Sequence, residues 1–303
     1  MLKIERLLFP TDHSNCADSA LGHALALAAL YDAELHILTA LDVYDDLDDL
    51  VDDDDLDGMA SMLRQHDRVR VVRVAELGSS AADVILDYAA HAYIDLVVMA
   101  THGRRGVAHL LHGSVAERVV REAPCPVLTL RCDAPTLDTD DATDNRILVP
   151  FDFSDRSRYA LDYAADLARV FRADLELVHV VSDAMWPDVY GYDAGTSNTE
   201  VLLTRARTAL DRLVSELRAS GVNAYAHVDV GFAATSLADI AAERNAELIV
   251  MASHGLTGLK RLLLGSVAEN TVRLASCPVL VVKPFGKSLL HARDLTRMGM
   301  TTA

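Results

Sequence analysis

LVVMATHGRRGVAHLLHGSVAERVVREAPCPVLTL (residues 96–130) and LIVMASHGLTGLKRLLLGSVAENTVRLASCPVLVV (residues 248–282) are one pattern written twice in a chain of 303 residues. They align without a gap at a constant offset of 152, and more than half of the positions are identical. Each copy opens on an apolar run of strand length and passes a His-Gly pair. Nine residues later comes Gly-Ser, then a helical stretch, then a second apolar run. Upstream, LLFPTDHS (7–14) matches ILVPFDFS (147–154) at an offset of 140, so the second copy gains 12 residues in its middle. Self-similarity on this scale means a duplicated folding unit.

Working outward, both halves alternate short apolar runs with helical spacing. In the first half, strands are expected at Ile4 to Pro10, Glu34 to Leu41, Val69 to Ala75, Asp95 to Met99 and Pro126 to Arg131. Helices are expected at Ser14 to Tyr31, Gly58 to His66, Ala81 to His91 and Ser114 to Glu122. In the second half, strands fall near 146–150, 174–181, 222–230, 247–252 and 278–283, and helices near 154–171, 199–220, 235–245 and 266–275. Near-continuous apolar strands alternating with helices indicate a parallel sheet covered on both faces. The expectation is therefore two tandem Rossmann-like α/β domains, residues 1–133 and 145–285. The stretch 134–144, with Pro135 and acidic positions, reads as a linker, and 286–303 as a weakly patterned, loosely ordered tail.

The formal charge of −17, from 45 acidic against 28 basic residues, argues against nucleic acid and against an anionic membrane surface. Only four lysines occur, Lys3, Lys260, Lys283 and Lys287. No apolar run reaches the roughly 18 residues that a membrane span needs. The four cysteines, Cys16, Cys125, Cys132 and Cys277, form no Cys-x-x-Cys pair. Free thiols in a reducing cytoplasm are the expectation.

The chemistry lies in the loop after the fourth strand of each half. Ala100-Thr101-His102-Gly103 leads to Gly113-Ser114, and Ala252-Ser253-His254-Gly255 leads to Gly265-Ser266. Glycine lets a backbone approach a ligand closely. A serine at a helix start offers a hydroxyl beside free N–H groups, which together with the helix dipole attract phosphate. Such a site would lie beyond the carboxyl ends of the strands, at the topological switch point. A structural reading stands beside this one. Ser114-Val-Ala-Glu117 and Ser266-Val-Ala-Glu269 fit the capping box, which only starts a helix.

The segment resembles the nucleotide-binding motif of the universal stress protein family, G-x2-G-x9-G-[S/T], and the resemblance covers both halves. It implies a five-stranded parallel sheet and, in many members, ATP binding. Gly103, Gly113 and Ser114, and again Gly255, Gly265 and Ser266, match motif positions. The first glycine of the motif is replaced by Ala100 and Ala252. The acidic residue of the family after the first strand matches Asp12 and Asp152, in position to hold the adenosine part or Mg²⁺. Ala40 and Val180 match the residue whose backbone would read adenine, and Pro10, Pro150, Val115 and Val267 complete the implied set. The implied ligand is ATP, or ADP or AMP, with Mg²⁺ as a companion. The resemblance also implies pairing through the last strands, within the chain or between two chains as a homodimer.

Other features receive plainer readings. His102 and His254 orient the loop as neutral imidazoles, and Arg104 and Arg105 either pair with phosphate or are solvated. His109 and His112 alone make a poor metal site. Asp53-x-Asp55-x-Asp57-Gly58 imitates a calcium loop but carries Arg64 where the twelfth-position Glu belongs, so Asp45 to Asp57 reads as a solvated acidic loop. Cys125-Pro126 and Cys277-Pro278 recur as buried structural thiols. The sequence thus points to a nucleotide-binding regulatory protein without catalytic residues. A scaffold that binds no nucleotide and a slow Mg²⁺-dependent ATPase are the alternatives.

Overall fold

The computed structural model describes residues 2–42, 53–101, 114–132, 145–182, 195–255, 264–283 and 288–290. The described residues form two compact units. One holds 2–132 with 264, 280–283 and 288–290; the other holds 145–255 and 265–279.

In the first unit, β1 (Arg6–Thr11), β2 (Glu34–Asp42), β3 (Val71–Gly78), β4 (Leu96–Ala100) and β5 (Val127–Leu130) lie in the order β3-β2-β1-β4-β5, every pairing parallel. Leu7, Leu8, Phe9, Val97 and Val98 are fully buried, as strands covered on both faces require. Asp95 ties the starts of β4 and β1 together, since its Oδ2 accepts the N–H groups of Glu5 (2.8 Å) and Arg6 (2.9 Å).

The helices are α1 (Asn15–Tyr31), α2 (Asp53–Gln65), α3 (Ala81–His91) and α4 (Ser114–Glu122). The chain steps one way from β1 to β3, jumps back across β1 to β4, then steps the other way. Right-handed crossovers therefore put α1 and α2 on one face and α3 and α4 on the other. The packing agrees: α1 lies against β1, β4 and α2, and α3 against β2, β3 and α4. The switch point falls between β1 and β4, so Asp12, just after β1, and Thr101, just after β4, follow neighbouring strand ends.

The second unit repeats the plan. Strands β6 (Arg146–Pro150), β7 (Asp174–Ser182), β8 (Ala224–Gly231) and β9 (Leu248–Ala252) run in the order β9-β6-β7-β8, all parallel. Helix α5 (Asp155–Phe171) packs on β6, β7 and β9, α6 (Gly195–Ala219) on β7 and β8, and α7 (Ala233–Glu243) on β7, β8 and α8 (Ser266–Leu274). Beyond Pro278, whose carbonyl accepts the Ile249 N–H (2.9 Å), lies β10 (Val279–Val282).

Three expectations need correction. Cys16 and Cys132 are not free thiols: they form a disulfide across 116 residues of sequence. The first turn of α1 and the end of β5 converge, with Cα atoms 4.4 Å apart, within the span of a disulfide. The acidic stretch is not a loop through Asp57, because α2 begins at Asp53; acidic residues are favoured at a helix N-terminus. The tail is not loose throughout. Leu289 and Leu290 are buried, and the Leu289 carbonyl accepts the Lys3 N–H (2.9 Å), because two adjacent leucines have apolar surface to bury. No helix among the described residues is long and apolar enough to cross a membrane.

Candidate functional site

The acidic residue of each half sits in the turn from the first strand into the next helix. Asp12 Oδ1 accepts the backbone N–H (3.2 Å) and hydroxyl (2.7 Å) of Ser14. Asp152 Oδ1 does the same with Ser154, at 3.1 and 2.6 Å. Each serine is also the helix N-cap: Ser14 accepts from Ala17 N–H and Ser154 from Ser157 N–H. One carboxylate oxygen thus serves the turn. The other, Asp152 Oδ2, faces Gly255 so closely that a Cβ on that glycine would run into it. The glycine of the β9 loop and the carboxylate of the β6 loop are therefore adjacent, as the switch point dictates.

The residue between the carboxylate and the cap is strained in both halves. His13 (φ 57°) and Phe153 (φ 64°) occupy the left-handed region, which bulky side chains rarely enter. Such strain aims the preceding carboxylate, and it concentrates at functional sites. His13 is buried and shares a hydrogen bond through Nε2 with Thr39 Oγ1 (3.1 Å). Phe153 is exposed and packs against the rings of Phe151 and His179.

The helix start after the glycine motif separates the two readings of Ser266. The cap of α8 is Gly265, with no side-chain hydrogen bond to the first turn, and Ser266 is already the first helical residue. The capping box therefore does not form in the second half. The reason is the close approach of Gly265 to the preceding loop. Its N–H donates to the Ser253 carbonyl (2.8 Å), and a Cβ there would lie 3.2 Å from that oxygen and 3.4 Å from His254 Cα. This fixes residue 265 as the cap and leaves Ser266, with its exposed side chain, as the first residue of a helix whose cap carries no side chain. In the first half α4 likewise starts at Ser114.

His254 is buried, and its Nδ1 shares a hydrogen bond with Ser253 Oγ (3.0 Å), which orients the loop. Arg156, in the first turn of α5, reaches across to donate to the Gly255 carbonyl (3.0 Å). Ala100 and Ala252 end β4 and β9, Pro10 and Pro150 lie at the ends of β1 and β6, and Ala40 and Val180 lie near the ends of β2 and β7. Val115 and Val267 follow the helix-start serines. The structure thus brings Asp152, Gly255, Gly265 and Ser266 to one end of the second sheet. Gly103, Gly113, His102, Arg104, Arg105, His109 and His112 lie outside the described residues.

Sequence reasoning missed Arg156 and the Cys16–Cys132 bond. Both had a signal. Residues 16 and 156 lie in the first turn of the helix after the first strand of each half, and residue 132 just past the last strand of the first half, at the end of the sheet where topology gathers side chains from distant parts of the chain. Cys125 and Cys277 are buried, and burial pushes the Cys277 thiol up to about 12, as fits a structural role.

The universal stress protein family model matches this chain twice, over residues 3–131 and 145–283. The chain is 34% identical over 138 residues to universal stress protein MJ0531 of Methanocaldococcus jannaschii, covering 46% of this chain and 81% of that one. It is 32% identical over 190 residues to universal stress protein Rv2005c of Mycobacterium tuberculosis, covering 62% of each. Among solved structures it superposes on a universal stress protein from Archaeoglobus fulgidus with a TM-score of 0.64, covering 93% of this chain and 97% of the other, at 22% identity. With both halves matched by the family model, this chain belongs to the universal stress protein family, as a tandem member with two such domains.

Proposed function

We propose that the protein binds an adenine nucleotide at the carboxyl ends of its strands and acts by regulation, with a conformational or assembly readout. The observation that carries the reading is the start of α8. Gly265, not Ser266, caps the helix, so the hydroxyl of Ser266 and the first-turn N–H groups of Ser266 and Val267 are left to meet a polyphosphate. Gly255 gives close backbone access beside them. Asp152, held by Ser154, would take the adenosine hydroxyls or a Mg²⁺ accompanying the phosphates, and the Val180 backbone would read the base. ATP, ADP and AMP all carry the chemistry this cradle selects. In the first half Asp12, Ala40, Ser114 and Val115 would serve in the same way.

The replacement of the first motif glycine by Ala100 and Ala252 supports the rival reading, a scaffold of the same fold that binds no nucleotide. Gentle purification, denaturation and chromatography of any released nucleotide separate the two, followed by calorimetric titration of the emptied protein with ATP. Released adenine nucleotide and saturable heat are expected. An empty protein giving no heat at millimolar ATP would leave the scaffold. Turnover is the third reading. Mg²⁺-dependent ATP hydrolysis abolished by Asp152→Asn would establish it in place of pure binding. On the proposed reading the protein works in the cytoplasm, where a net charge of −17 favours solubility by self-repulsion.

A further inference from the structure

The Cys16–Cys132 bond is placed where it can act on one nucleotide site and not on the other. Cys16 is half-buried and Cys132 exposed, so small thiols reach the bond, whereas Cys125 and Cys277 are buried. Each sulfur is attached to a wall of the first-half site. Cys16 stands two residues after Ser14, whose hydroxyl holds Asp12. Cys132 stands two residues after Leu130, whose carbonyl accepts both the N–H (2.8 Å) and the hydroxyl (3.2 Å) of Thr101. Thr101 follows β4 directly. The bond therefore links the turn after β1 to the strand that anchors the residue after β4, and β1 and β4 flank the switch point.

The second half has no sulfur at either place. Arg156 stands where Cys16 does and ties α5 to the glycine loop through the Gly255 carbonyl (3.0 Å), and Pro284 stands at the position matching Cys132. That tie is a hydrogen bond, indifferent to reductant.

We infer that Cys16–Cys132 is a redox switch on the first nucleotide site alone: bonded, it holds Asp12 and Thr101 in register, and reduced, it releases them and weakens binding. The inference rests on the nucleotide reading given above. Closing the switch removes two protons and two electrons from the two thiols. A low-molecular-weight disulfide accepts them. One protein thiolate attacks it, forming a mixed disulfide and releasing one small thiol. The second protein thiolate then displaces the other small thiol as the Cys16–Cys132 bond forms. Opening is the same exchange in reverse.

The test uses the full chain, prepared oxidised and after dithiothreitol. Thiol counting in denaturant should find two free thiols in the first preparation and four in the second. ATP is then titrated calorimetrically into both, in wild type and in Gly265→Asp, where the first site alone should remain. Reduction should leave the second-site affinity of wild type unchanged and weaken the first site by about tenfold, the order expected when lost preorganisation must be restored on binding. The double variant Cys16→Ser/Cys132→Ser should match the reduced protein in either buffer. Four thiols in the oxidised preparation, or a first-site affinity that ignores reductant while the second site binds, overturns the switch alone. No binding by either half in either state overturns the nucleotide reading and the switch with it.

Discussion

The two halves descend from one pattern but secure the same site by different means. In the second half Asp152 lies close against Gly255, and Arg156 of the following helix donates to the Gly255 carbonyl. In the first half Cys16 stands at the position of Arg156 and is bonded covalently to Cys132, just past β5. The strained residue differs too, a buried His13 against an exposed Phe153. Backbone geometry is kept where the carboxylate must be aimed, and side-chain chemistry is free to change where only a tie is needed. On the readings proposed above, a duplicated domain keeps two related sites and places them under different control.

The largest effect should come from Gly265→Asp. The new Cβ would press on Ser253 and His254, and its carboxylate would point a negative charge at the helix start proposed for phosphate. ATP binding at the second site should fall by more than about 100-fold, roughly 3 kcal/mol, with the first site unchanged by calorimetry. Loss at both sites would mean that the halves do not bind independently.

Next comes Lys283, the buried counterpart of the half-buried Arg131. Burial lowers its ammonium to about 8, against 10.5 ordinarily. Between those values the unfolded chain holds more protons, so stability should rise as pH is raised from 8 towards 10.5 and fall again as pH returns to 8. Below 8 the penalty is constant. Lys283→Met should remove this slope in denaturant melts and stabilise the protein at pH 7 by on the order of 3 kcal/mol at most. Arg131→Met should leave that slope in place, because it does not touch the titrating ammonium of Lys283. An unchanged slope in Lys283→Met would show that another group is titrating.

Much of this was legible in the sequence because the signals were periodic. α3 and α4 fall on the residues that helical spacing selects, and the strands need only their ends adjusted. Repetition picked out the candidate site: two His-Gly pairs and two Gly-Ser pairs at one offset. What stayed hidden depended on contacts between distant segments. Nothing local tells Cys16 that β5 ends beside it. The choice between Gly265 and Ser266 as cap was decided by the carbonyl of Ser253, twelve residues upstream. Leu289 and Leu290 showed no period because two residues cannot show one.

A smaller effect is expected at the tie itself. Arg156→Ala removes the hydrogen bond to the Gly255 carbonyl, a loss of about 1 kcal/mol. Second-site affinity should weaken about fivefold, whether or not dithiothreitol is present. A response to reductant in this variant would contradict the division of control between the halves.

The smallest contrast should appear at the caps, where the halves are nearly identical. Ser14 accepts from Ala17 N–H at 3.3 Å and Ser154 from Ser157 N–H at 3.1 Å, and each donates its hydroxyl to the preceding aspartate. Ser14→Ala and Ser154→Ala should therefore each cost about 1 kcal/mol in urea melts. The two costs should agree within about 0.5 kcal/mol, the usual additivity error. Equality would mean that the turn feeding each carboxylate is an autonomous unit, set by Asp-x-Ser and the strained residue between them. A much smaller cost for Ser14→Ala would mean that the disulfide two residues on already holds that turn, and reduction should then restore the missing part.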